Sequence, residues 1–86
     1  MNINKLSQIL KEKLKKNLNL KFIEIEDKTY LHNNHSSHQK GKFHIKIILE
    51  SSEIKKMSRI DANRKINSLI NDEIEKYIHS IQILIL

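Results

Sequence analysis

Ile3, Leu6, Leu10 and Leu14 recur at steps of three and four with lysines between them, tracing one apolar stripe along an amphipathic helix. Asn17 and Asn19 then weaken the pattern and end the helix. Residues 21–26 switch to alternation, Ile23 and Ile25 against Glu24 and Glu26, as a half-buried strand requires. From residue 27 to residue 41 neither period survives, and the stretch holds the sole glycine, Gly41, so a long polar loop is expected. Residues 43–49 form the next strand, with Phe43, Ile45, Ile47 and Leu49 on one face and His44 and Lys46 on the other. Residues 51–58 are polar apart from Ile54 and Met57 and predict a short helical turn. Ser58 with Asp61 three positions on fits a capping box. It opens one long helix marked by Ala62, Ile66, Leu69, Ile70, Ile74 and Tyr77. His79 follows, and Ile81, Ile83 and Ile85 alternate as a third strand.

The expected order is therefore αββααβ, one α/β (α+β) domain over residues 1–86 with a three-stranded mixed sheet. Strands one and two form a hairpin and run antiparallel. A helical crossover joins strands two and three, which makes them parallel neighbours. Parallel strands start at the same end of a sheet. The start of strand two (Phe43, His44), the loop before it (His32, His35, His38) and the start of strand three (His79) should thus converge.

Composition narrows the function. With no tryptophan and few aromatics, the core must be aliphatic. The absence of cysteine excludes a disulfide framework, a thiolate metal site and a thiol nucleophile. No apolar run is long enough to cross a bilayer, and no charged-then-apolar leader opens the chain, so a cytoplasmic protein without a membrane partner is expected. Residues 1–21 hold six lysines against Glu12, which places five of the net +6 in the first element. That concentration suits either a solvated face or contact with nucleic acid or an acidic partner.

Five histidines stand in 86 residues, four of them between His32 and His44. Imidazole is a common ligand for zinc, copper and iron, and a His-rich tract can collect metal. For His35 and His38 the simpler reading is a solvated polar loop, since neither has a carboxylate or thiolate companion nearby. His79 differs, being a single imidazole at the boundary of two apolar elements. No Gly-x-Ser-x-Gly turn, phosphate-cradling glycine loop or apolar pair of acids occurs, so an enzyme is not expected. Asp72, Glu73 and Glu75 are read as solvated charges in the last turns of the long helix.

Four segments stand out in order: Ile23-Glu24-Ile25-Glu26-Asp27 with Thr29-Tyr30-Leu31-His32-Asn33, then His44-Ile45-Lys46-Ile47-Ile48-Leu49-Glu50-Ser51. They continue through Arg64-Lys65-Ile66-Asn67-Ser68-Leu69-Ile70-Asn71-Asp72-Glu73-Ile74 and close with Ile78-His79-Ser80-Ile81. In this order and spacing the chain resembles the BolA family along essentially its whole length. The resemblance implies a fold similar to class II KH domains and a monothiol glutaredoxin partner with which a two-iron two-sulfur cluster is shared, the free protein being a monomer without cofactor. By the resemblance the late histidine, His79, is one ligand. The second comes from the hairpin loop, where His32 is the positional match and His35, His38 or His44 are alternatives. Imidazole in place of thiolate on one iron raises a cluster's potential.

Some members of the family are DNA-binding transcription regulators, and Arg59, Arg64 and Lys65 would then make the nucleic-acid contacts. The family's Arg-His-Arg motif is here reduced to Ala62-Asn63-Arg64, and its preceding glycine is Lys56. That weakens the DNA carry-over more than the cluster one. Residues 28–42, and 33–42 above all, are expected to be mobile until the imidazoles gain a ligand, because little apolar contact can hold them.

Overall fold

Helix α1 (Ile3–Asn17) starts where Asn2 Oδ1 accepts the Lys5 amide at 2.8 Å and stops at Leu18, with Lys15 and Lys16 in the last turn, where cations suit the helix dipole. The computed structural model describes residues 1–29 and 42–86, and within it Leu6, Leu10 and Leu14 have no exposed surface. The stripe read from the sequence is therefore the face that enters the core.

Strand β1 (Phe22–Asp27) pairs antiparallel with β2 (Phe43–Glu50), placing Ile25 beside Ile47 and Glu26 beside Lys46. β2 pairs in parallel with β3 (Ile78–Ile85), so the sheet order is β1-β2-β3. Ile45, Ile47 and Leu49 are buried under the helices, and Ile23, Ile25, Ile81, Ile83 and Ile85 pack around them. One face of the sheet is thus the core. Phe22 and Leu84, on the other parity, remain exposed.

Two short elements follow β2. Ser51 caps α2 (Ser52–Lys55) and itself has no exposed surface, while Ile54 drops into the core. Ser58 Oγ accepts the Asp61 amide at 3.1 Å and opens α3 (Arg59–Leu69), as the sequence predicted. The long helix expected from there to Tyr77 is broken. α3 ends at Leu69, Ile70 takes φ −120° and ψ 23°, and α4 (Asn71–Tyr77) restarts beyond it. Asn67, Ser68 and Asn71 are weak helix formers, and the Ser68 hydroxyl donates back to the Lys65 carbonyl at 2.7 Å. Burial of Ile70, which has no exposed surface, holds the joint. The observed order is αββαααβ, with the fourth helix made from the end of the expected third.

A further correction concerns Glu73. It is 7% exposed, not solvated, and its carboxylate takes two hydrogen bonds from the Lys13 ammonium at 2.9 and 2.7 Å, tying α4 to α1. Asp72 and Glu75 are exposed as expected.

Candidate functional site

Parallel pairing brings the starts of β2 and β3 together. Phe43 lies opposite Ile78, but His44 lies opposite Ser80, so the register slips by one residue and His79 has no partner position on β2. This is a β-bulge, and it resolves a conflict of parity in the sequence. Ile78 and Ile81 both belong to the core side although three positions separate them, which strict alternation forbids. The extra residue restores both. It also turns His79 and Ser80 together onto the face opposite the core.

Both then meet His44. The rings of His44 and His79 stack with centroids 4.8 Å apart and planes at 29°, within the range of favourable aromatic pairs. Nδ1 of His44 is hydrogen-bonded to Ser80 Oγ at 2.6 Å. His44, expected on the outer face, does lie at that parity, yet it is only 5% exposed. His79 is exposed. The pair is thus asymmetric: one ring forms part of the wall and the other stands on it in solvent.

The backbone of this corner is tied from the other side. The His44 carbonyl accepts the Lys28 amide at 2.7 Å, and the His44 amide donates to Thr29 Oγ1 at 3.1 Å. Thr29 is in turn held by Asp27 Oδ1, which accepts its amide at 3.0 Å. Lys42 reaches the Glu75 carbonyl from its Nζ at 3.3 Å. Lys28, Thr29 and Lys42, the described ends of the hairpin loop, therefore flank His44, and the expected convergence holds for His44 and His79. His32, His35 and His38 lie outside the described residues, as does the expectation of mobility for residues 30–41. As a donor set for a metal, the described corner offers the solvent-facing imidazole of His79. His44 is buried, with Nδ1 engaged.

The basic residues singled out in the sequence make different described contacts. Arg59 joins Lys46, Asn63 and Gln82 along a groove of about 430 Å³ beside β3. Lys65 turns to α2, where its ammonium lies 3.9 Å from the Glu53 carboxylate. Arg64 is exposed. The hydrogen bond and charge of Glu73 raise the Lys13 ammonium above its ordinary value of 10.5. The Lys13–Glu73 tie escaped sequence reasoning, although Glu73 falls three residues after Ile70 and four before Tyr77, inside the apolar stripe.

Comparison with known proteins meets the chain at these same elements. Residues 14–86 match the family described as BolA-like protein. The DNA-binding transcriptional regulator BolA of Haemophilus influenzae is 26% identical over 76 residues, covering 88% of this chain and 71% of that protein. The solved BolA domain of SufE1 from Arabidopsis thaliana superposes with a TM-score of 0.78 at 25% identity, over 99% of this chain and 92% of that one. BolA1 from the same plant has a TM-score of 0.78 at 22% identity, over 93% and 88% of the two chains, a likeness of fold.

Proposed function

Because this chain belongs to the BolA family, we propose that it is a non-enzymatic adaptor that docks on a monothiol glutaredoxin and shares a two-iron two-sulfur cluster with it in iron–sulfur trafficking or regulation. The observation that carries the reading is the solvent-facing imidazole of His79, stacked on a buried neighbour at the bulge. A shared ligand must be exposed to reach a second protein and yet held in place, and His79 meets both conditions. With no cysteine in the chain, the donors it brings are imidazoles, a set known on one iron of Rieske-type clusters. His79 is one ligand, and His32 is the second by its position in the family pattern. The partner contributes thiolates. When bound, the cluster supplies electron and cluster transfer. The chain supplies orientation of the donors and a surface that excludes water from one side of them.

Reconstitution tests this directly. Mixing the protein with a monothiol glutaredoxin, glutathione, iron and sulfide should give a coloured heterodimer whose visible circular dichroism differs from that of the glutaredoxin homodimer. His79→Ala should abolish that difference. His32→Ala should weaken it in part, since His35 or His38 can substitute. An unchanged spectrum for His79→Ala would remove the ligand assignment.

A second reading, a DNA-binding regulator, is favoured by the name of the Haemophilus influenzae relative. In this chain its support is the groove that joins Arg59 and Lys46 beside β3. Titration against duplex DNA at near-physiological salt separates the two readings. Binding no tighter than the nonspecific range of about 10⁻⁴–10⁻⁶ M counts against a sequence-specific regulator.

A further inference from the structure

Ligand orientation needs more than an exposed ring. A histidine on a strand surface ordinarily samples several χ1 rotamers, and a ligand that must meet a cluster held by another protein loses affinity for each alternative it visits. At this corner three features act on one side chain. The bulge sets the direction of the His79 Cα–Cβ bond. The His44 ring offers a flat surface 4.8 Å away on which the His79 ring lies. Ser80 Oγ, bonded to His44 Nδ1 at 2.6 Å, fixes the plane of that surface.

Burial makes the support stiff. His44 is 5% exposed, and both its backbone carbonyl and its amide are bonded, to the Lys28 amide and to Thr29 Oγ1. It sits on the central strand, paired to β1 and β3 alike. It is therefore the less mobile member of the pair.

From this geometry we infer that His44 is a positioning residue for His79. It acts not as a cluster ligand but as the platform that pre-orders the ligand's ring, with Ser80 as the pin that keeps the platform flat. The inference rests on the assignment of His79 as a cluster ligand. It extends that assignment by giving His44 and Ser80 distinct roles, which the alternative of His44 as second ligand does not.

The experiment has two arms. In the free protein, three-bond couplings at His79 should report one dominant χ1 rotamer, which His44→Leu averages and His44→Phe largely restores, because phenylalanine keeps the flat ring. In the reconstituted glutaredoxin heterodimer, His44→Leu should still assemble a cluster but lose it to a chelator about 10-fold or more faster, the usual consequence of losing an outer-shell support. His44→Phe should recover most of that loss. Ser80→Ala, a substitution at an exposed position, should fall between wild type and His44→Leu and covers the case in which His44→Leu folds poorly.

A purely structural His44 would lower thermal stability in both variants and leave rotamer and cluster lifetime unchanged at temperatures where the protein is folded. That outcome, or an averaged rotamer in the wild type, overturns the inference. If His44→Phe abolishes cluster formation as fully as His79→Ala does, His44 is a ligand and the positioning role is wrong. His79→Ala run alongside separates the two levels. If it changes the spectrum while His44→Leu leaves both the rotamer and the cluster lifetime unchanged, only the positioning role fails. If it changes nothing, the ligand assignment itself fails.

Discussion

Lys13 and Glu73 show how one pair of side chains joins elements sixty positions apart in the chain. The two ends of the pair are unlike. The Glu73 side chain is 10% exposed and the Lys13 side chain 38%, so the lysine can swing into water while the carboxylate cannot. Removing the lysine leaves a buried anion without its donor, which costs more than removing the acid. Lys13→Met should therefore lower the urea midpoint further than Glu73→Gln, and equal shifts would show that the carboxylate is solvated after all. The pH dependence has a definite sign. Glu73 raises the folded-state pKa of Lys13 above 10.5, so the folded protein holds that proton more tightly than the unfolded chain does. This contribution is complete below 10.5 and is lost as pH rises through the folded value. The gap in stability between wild type and Lys13→Met should stay constant through neutrality and close only in strong alkali. A gap that closes near neutral pH would assign the effect to another group.

At the scale of elements, the bulge at the start of β3 is the decisive feature. Its origin is legible in retrospect: Ile78 and Ile81 share the core side, and only an added residue between them reconciles that with alternation. Deleting His79 would leave Ile78, Ser80 and Ile81 in strict alternation with the rest of the strand. We expect that deletion variant to fold, losing no more than about 1.5 kcal/mol, the worth of the aromatic contact it gives up. It should fail to reconstitute the shared cluster. Collapse of the fold on deletion would mean that the bulge carries stability rather than presentation. The break at Ile70 has a different origin. Periodicity of apolar residues runs on smoothly from Ala62 to Tyr77, and only the weak helix formers Asn67, Ser68 and Asn71 hint at a joint.

Across the whole molecule, five of the six net positive charges lie in residues 1–21, and the basic residues named beyond them make separate described contacts. Lys13 is paired to Glu73 and Lys65 lies near Glu53, while Arg59 and Lys46 share the groove beside β3. Nonspecific attraction of duplex DNA by a +6 chain is expected, and it should fall steeply with salt. If the groove contacted phosphates, replacing both Arg59 and Lys46 by alanine would reduce the slope of log K against log salt by about 1.8, at 0.9 per phosphate. For the adaptor we expect a weak affinity that varies little with DNA sequence and a slope that changes by less than this. A large fall in slope together with sequence preference would favour the regulator reading. No helix among the described residues is long and apolar enough to cross a membrane.

Local periodicity determined most of the architecture. The apolar stripe of α1, the alternation of β1 and β2, the Ser58 cap and the parallel pairing of β2 with β3 all follow from neighbours in the chain and from the helical connection between the two strands. The resemblance carried by the spacing of His44, Arg64 and His79 likewise needed no coordinates. What the tertiary structure decided are the contacts between residues distant in sequence. His44 is written at an outer-face position, and only the register slip on β3 brings His79 and Ser80 over it and buries it. Glu73 is written as one acid among three, and only the packing of α4 against α1 selects it for Lys13. A period states which side of an element is apolar. It does not state which polar side chain an opposing element will meet, because that depends on register and crossing geometry set by the whole core.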